Sequence, residues 1–477
     1  MSREVLQDWI CGEPVDTVSL EGPSLQDPNT GDLTEPMVSA RSESITRALS
    51  TAAEVHRTGA WSGLQPHVRA DILDQIANAL EGETETLAEL GAATTGVVIS
   101  QTERFAGLVP LIFRKAGALV RDQALSTYDG PFGAVEVHRL PLGPALCIAP
   151  WNAPTAIAAH KVASALAAGC PTILKPSEWT PHTANVLARA IHKTELPAGT
   201  FQLVHGRGDV GARLTDDERV RAVSFTGGLA GGRAVAVSCA QQMKPAQLEL
   251  GGNNPLIVLR DADVDVAADG IVTALTRLNG QWCRALGRVL IHRSLEGQVL
   301  EAVGGRLRSL RLGHSLKPES EMGPLIHRGH FEQVQGRIDE LCTLGGTAHS
   351  WTPKPEAPGF FCPGTLITGC APNLTTEEVF GPVASVHAFD TEAEMFELAH
   401  QAPYGLAAYI FGDEERSLEW ARRFEIGSTK INGVTVTSLN PEAPRSAWRL
   451  SGLGVEGHRE TYDFFRGIGV VGVAGRN

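Results

Sequence analysis

Apolar positions recur at helical spacing over residues 43–58, 66–92 and 98–122, as in Ile72, Leu73, Ile76 and Leu80, and predict three helices. Ahead of them, residues 1–35 are rich in Pro, Gly, Asp and Thr, with a turn signal at Asp27-Pro28-Asn29-Thr30-Gly31, and predict an arm or short strands. The period then changes. Residues 132–140 alternate apolar and polar, the pattern of a strand. From Leu142 onward, short apolar runs alternate with amphipathic stretches. Strands are predicted at 144–149, 172–175, 201–204, 222–225 and 247–250, separated by helices at 155–169, 181–193, 209–214 and 229–242. A second series follows Asn254, with strands at 255–258, 288–291, 359–367, 383–388, 407–411 and 429–432. Its helices are predicted at 264–278, 296–309, 330–344, 391–400 and 415–424.

Such alternation predicts an α/β protein whose parallel sheets are covered by helices on both faces. Ligands of that class sit beyond the carboxyl ends of the strands. A boundary between two such units falls near Gly251-Gly252, and the tail 464–475 reads as an apolar strand. An unpaired apolar strand is an aggregation hazard, so pairing with another subunit is the economical expectation.

Composition narrows the function. The 477 residues are 43% hydrophobic and 20% charged, enough for two or three domains with large cores. A net charge of −13 leaves no basic surplus for nucleic acid. No run reaches the roughly 18 to 20 apolar residues of a membrane span. Eight scattered cysteines without a Cys-x-x-Cys pair, and an N-terminus without an apolar signal core, fit reduced thiols in a cytoplasmic enzyme. No His-x-x-x-His or comparable spacing points to a metal.

The candidate chemistry centres on residues 278–288. Cys283 follows a glycine-containing turn, where a thiol is approachable as a covalent nucleophile; the alternative is a buried structural cysteine. Asn152, in Pro150-Trp151-Asn152 at a strand end, could aim its amide at a developing oxyanion, or simply close its own turn. Phe225-Thr226-Gly227-Gly228, with Gly231-Gly232 beyond, opens a helix where backbone can approach a pyrophosphate. Lys175 and Glu178 emerge together at a strand end, either to meet ribose hydroxyls or as solvated loop charges; a carboxylate there would disfavour a 2′-phosphate. Glu249, between two leucines and before a double glycine, reads as a desolvated general base or as a structural carboxylate paired with a Lys or Arg.

Together with Lys175-Pro176-Ser177-Glu178, Leu248-Glu249-Leu250-Gly251-Gly252, Gly280-Gln281-Trp282-Cys283, Glu378-Val379-Phe380-Gly381-Pro382 and Ser451-Gly452-x-Gly454, these motifs resemble the aldehyde dehydrogenase superfamily in order and spacing, most strongly over 140–470. The resemblance implies two Rossmann-type domains with a small β arm. A dinucleotide-binding domain would span 1–121 and 142–251, a catalytic domain 252–445, and an oligomerisation arm 122–141 and 460–477, giving a homodimer or homotetramer. It implies that Cys283 attacks a small-molecule aldehyde, that Asn152 and the Cys283 N–H hold the oxyanion, and that Glu249 activates the water that releases the acid. NAD would lie against Pro150, Trp151, Lys175, Ser177, Glu178, Phe225, Thr226, Gly227, Gly228, Gly232, Leu250, Glu378 and Phe380. NADP stays open, because Arg207 could meet a 2′-phosphate.

Where the family usually has Ser or Thr in the pyrophosphate turn this chain has Gly228, which leaves backbone donors for the phosphate. Two positions bear on substrate: Arg284 follows the nucleophile, and Arg445 stands where an aromatic often lines the substrate funnel. Two arginines at the mouth would suit an anionic semialdehyde. In the alternative, Arg284 pairs internally and Trp282 and Trp448 form an aromatic pocket. Two other readings of the chain are a catalytically silent binding or structural protein and a dehydrogenase that acylates coenzyme A; members of the latter type typically lack the carboxylate at Glu249.

Overall fold

The computed structural model describes residues 5–122, 126–128, 134–435 and 439–473. Its first sheet has eight strands in the order Glu13–Asp16, Gln7–Ile10, Phe201–Leu203, Thr172–Lys175, Ala145–Ile148, Ala222–Thr226, Ala246–Glu249 and Gly452–Leu453. The five from Phe201–Leu203 to Ala246–Glu249 run parallel. Side chains alternate along each strand. Ala145 and Cys147 enter one core with the helices Pro66–Glu81, Ile99–Arg121, Pro154–Ala167 and Pro181–His192. Leu146 and Ile148 enter the opposite core with Ser42–Thr58, Gly208–Asp216 and Leu229–Gln241. Burial on both faces explains why these strands read as short continuous apolar runs.

The second sheet repeats the plan with seven strands: Thr347–Ser350, Thr365–Thr368, Val383–Phe389, Leu286–His292, Asn254–Val258, Ala408–Phe411 and Thr429–Ile431. All pairs are parallel except the first. Leu256 and Val258 face one core, Ile257 and Leu259 the other.

Several expectations change. The helix expected over 66–92 is two, Pro66–Glu81 and Thr84–Thr95, broken at Gly82. Of the strand expected at 359–367, only Thr365–Thr368 forms. The preceding residues pack as a loop on the N-terminal turn, where Phe360 N donates to Pro28 O at 2.9 Å. The helix expected at 415–424 ends at Ala421. The edge strand Thr347–Ser350 was not expected, because its alternation is mostly polar.

The chain returns to the first unit at its end. Gly452–Leu453 pairs antiparallel with Leu248 and Glu249. Tyr462 and Phe465 enter the core shared by the helices Pro66–Glu81 and Pro154–Ala167. The tail strand is Arg466–Gly472, the edge of a small sheet in which it pairs with the same chain's Val135–Pro141. Ser126–Tyr128 extends this small sheet, which leaves Ile468, Val470 and Val471 exposed. Residues 132, 133, 474 and 475 of the expected strands lie outside the described residues. Among the described residues no helix is long and apolar enough to cross a membrane.

Candidate active site

A cleft of about 1150 Å³ opens at the carboxyl ends of the first sheet's parallel strands. It is lined by Pro150, Trp151, Asn152, Lys175, Ser177, Glu178, Phe225, Thr226, Gly227, Gly228, Glu249, Leu250, Cys283, Glu378 and Phe380. Residues 205 apart in sequence, such as Lys175 and Phe380, are thus brought to one cavity by strand ends and a loop.

The loop carrying Cys283 is held in an unusual backbone. Leu278 and Asn279 have φ of 49° and 59°, and Gly280 follows at 73°. A Cβ on Gly280 would lie 2.2 Å from the Gly381 carbonyl carbon, so only glycine fits. Non-glycine residues there each cost about 1–3 kcal/mol and persist only when the surroundings hold them. Here they do. Asn279 Nδ2 donates to Gly96 O at 2.9 Å and Pro324 O at 2.8 Å, while its Oδ1 accepts from Gly323 N at 2.8 Å. Asn254 Nδ2 donates to Cys283 O at 2.9 Å and to Ala285 O at 2.7 Å. Tyr409 OH donates to Arg284 O at 2.7 Å.

Asn152 Nδ2 donates to Gln281 O at 2.8 Å, which sets its amide beside the nucleophile loop with a second N–H left over. The Cys283 thiol and the Glu249 carboxyl line the same cleft and act on each other's titration. Burial and the negative charge of Glu249 push the thiol pKa up, against a smaller downward pull from Arg284. Burial and Glu456 raise Glu249, opposed by Arg284, the Cys283 thiol and Lys161. Burial pushes Glu378 up to about 8, although its Oε1 accepts from Gly252 N at 2.8 Å.

Toward the other end of the cleft, burial lowers the Lys175 ammonium pKa; its Nζ donates to Pro176 O at 2.8 Å and stands 3.8 Å from Glu178. Ser177 Oγ accepts from Trp179 N at 3.3 Å, and the Trp179 ring stacks on His327 with centroids 3.8 Å apart. Gly228 precedes the helix Leu229–Gln241, and nothing stands within 4 Å of where its Cβ would be. Phe380, at φ 55°, meets the Trp151 ring edge-on at 5.3 Å.

Four expected positions do not line this cleft. Gly232 sits beneath Leu250, whose Cδ2 would be 2.4 Å from an added Cβ; Gly231 is the glycine that faces the cavity. Trp282 is 5% exposed among Val97, Leu278 and Ala285, with Nε1 donating to Ala274 O at 3.4 Å. Its would-be partner Trp448 is 46% exposed on a short strand opposite Gly405, so the two indoles have separate surroundings. Arg284 Nη1 donates to Ser428 Oγ at 2.7 Å and makes no ion pair among the described residues. Arg445 pairs in register with Glu456.

Sequence reasoning missed a buried polar chain next to Glu249. Lys161 Nζ donates to Ser224 Oγ at 2.8 Å and to Glu456 Oε1 at 3.1 Å, and Ser224 Oγ donates to Gln247 Oε1 at 3.0 Å. Burial works to raise Glu456, but Lys161, His160 and Arg445 overcome it and hold the carboxyl down at about 2. The available signal was a lysine inside the apolar, Ala-rich stretch 155–169.

A thiol and a buried carboxyl lining one cleft, at the strand ends of a helix-covered parallel sheet, are the arrangement of a covalent enzyme built on a dinucleotide-binding scaffold. Residues 19–471 match the aldehyde dehydrogenase family, and the chain belongs to it. It is 38% identical over 333 residues to an aspartate-semialdehyde dehydrogenase (non-phosphorylating) of Halomonas elongata, covering 69% of this chain and 67% of that one. It is 32% identical to a succinate-semialdehyde dehydrogenase of Paenarthrobacter nicotinovorans, covering 92% of this chain and 98% of the relative. The crystal structure of betaine aldehyde dehydrogenase from Staphylococcus aureus in complex with NAD+ superposes with a TM-score of 0.94 at 28% identity, over 100% of this chain and 96% of that one.

Proposed function

We propose that this chain oxidises an aldehyde to a carboxylic acid, with NAD as hydride acceptor and Cys283, Glu249 and Asn152 as its catalytic residues. The observation that carries the reading is that the Cys283 thiol, the Glu249 carboxyl and the Asn152 amide line one cleft at the strand ends of the first sheet. The residues present fit a dinucleotide. Lys175 and Glu178 suit ribose hydroxyls, the helix end after Gly228 suits a pyrophosphate, and Trp151, Glu378 and Phe380 lie at the same end of the cleft as Cys283. Glu178 in that place favours NAD over a 2′-phosphorylated cofactor. The named relatives and the NAD+ complex are consistent with this assignment.

Glu249 takes the thiol proton, and the thiolate adds to the aldehyde carbon. The carbonyl oxygen gains the negative charge, held by the free N–H of the Asn152 amide and the Cys283 N–H. NAD supplies the acceptor for the hydride lost by this adduct, which leaves a thioester on Cys283. Glu249 releases the thiol's proton to solvent and then draws a proton from water; the hydroxide attacks, the C–S bond breaks, the acid departs and Glu249 returns its proton to the Cys283 thiolate. A carboxyl so placed supports hydrolysis over transfer to coenzyme A. Cys283→Ala should eliminate NADH formation with every aldehyde; retained turnover would overturn the assignment. Consumption of coenzyme A during turnover by the unaltered protein would place it among acylating enzymes instead.

The domain reading stays as the sequence has it, with the first sheet for the dinucleotide and the second for catalysis. The exposed apolar residues of the small sheet, Ile468, Val470 and Val471, support a homodimer or homotetramer. All eight cysteines are free, which suits the cytoplasm.

A further inference from the structure

Four cationic side chains gather around the nucleophile loop without lining the dinucleotide cleft: Arg277, Arg284, Lys430 and Arg445. Arg284 is adjacent to Cys283 and is tied to Ser428. Lys430 lies two residues further along that same extended segment, so it shares a face with Ser428. Its Nζ is 5.9 Å from the centre of the Tyr409 ring, whose hydroxyl donates to the Arg284 carbonyl. The Arg277 guanidinium stands 5.8 Å from the ring of Trp282, the residue before the nucleophile. Arg445 lies opposite Glu456, which Lys161 already engages.

None of the four makes an ion pair among the described residues. Lys430 is only 4% exposed, and its ammonium reaches just the carbonyl oxygens of Val434 and Thr435. Burial lowers its pKa to about 8, helped by the charges of Arg284, Arg277 and Arg445. A buried ammonium beside part-exposed guanidiniums, with no carboxylate at ion-pair distance among the described residues, is costly, and an anion arriving among them reduces that cost. The concentration is the more pointed in a chain of net charge −13. A guanidinium and an ammonium on one face match the two oxygens of a carboxylate.

We propose that Lys430 and Arg284, supported by Arg277 and Arg445, hold the distal carboxylate of an ω-carboxylated aldehyde whose carbonyl meets Cys283. This rests on the aldehyde oxidation proposed above and names its substrate class. It makes Lys430 a specificity-determining residue and turns a cationic aldehyde into a poor substrate.

The test compares kcat/KM for succinic semialdehyde, pentanal, betaine aldehyde and glyceraldehyde 3-phosphate, with NAD, in the unaltered enzyme and in Lys430→Met and Lys430→Arg. Charge-assisted hydrogen bonds of this kind predict a preference for the carboxylated aldehyde over pentanal on the order of 10- to 100-fold. Lys430→Met should shrink that ratio by about 10-fold through KM, and Lys430→Arg should keep most of it. Succinate should compete with the aldehyde, and weakly in Lys430→Met. Pentanal or betaine aldehyde as the better substrate, or an unchanged ratio in Lys430→Met, would overturn the carboxylate seat while leaving the oxidation intact. Preference for the phosphorylated aldehyde would also overturn it. No oxidation of any of the four would instead tell against the reaction itself.

Discussion

Asn152 Nδ2 lies 2.8 Å from the carbonyl oxygen of Gln281, two residues ahead of the Cys283 thiol. That bond joins the end of a first-sheet strand to the loop that enters the second sheet, so one amide both anchors the nucleophile loop and presents a spare N–H to it. Asn152→Ala should lower kcat by about 10²–10³-fold, the usual loss for one oxyanion donor. Steady-state NADH formation measures it, and a change confined to KM would count against the role.

Glu249→Gln separates the two halves of the reaction. At a pH that ionises Cys283 without its base, the first turnover should still release NADH, while the steady rate falls by roughly 10²–10⁴-fold because no base activates water. Rapid-mixing absorbance at the NADH band reads both phases. An unchanged steady rate would remove Glu249 from the hydrolytic step.

The thiol's titration carries a second prediction of definite sign. The Glu249 charge and its hydrogen bond raise the Cys283 pKa, whereas Arg284 lowers it. Glu249→Gln removes the carboxylate charge, so the pH midpoint for alkylation by iodoacetamide should shift down. Arg284→Met removes a cation, so the same midpoint should shift up. Equal directions for the two variants would show that neither charge acts on the thiol.

Asn279 is fully buried, has φ of 59° and makes three side-chain hydrogen bonds to backbone. Asn279→Ala leaves those groups unpaired and keeps a strained φ. It should cost about 2–4 kcal/mol of stability. Denaturant unfolding measures the loss, and a midpoint equal to that of the unaltered protein would contradict it.

Much was legible in the chain by itself. Helix-covered parallel sheets followed from short apolar runs alternating with amphipathic stretches, because burial on both faces removes the polar half of a strand's pattern. Cys283, Glu249, Asn152 and the glycine turn were legible because loops at strand ends carry residue types that packing alone does not require. Folding decided the rest. Lys161 and Glu456 stand 295 positions apart in sequence yet meet at 3.1 Å, and neither carries a local signal of that partner. Gly231 and Gly232 look equivalent in sequence, but helical rotation turns one toward the cavity and the other under Leu250. The direction of Trp282 and Arg284 was equally invisible, since side-chain direction in a left-handed loop depends on the distant carbonyls and hydroxyls that hold it. Local periodicity determined which elements form; long-range hydrogen bonds and the sharing of charge among buried side chains determined which residues face the nucleophile.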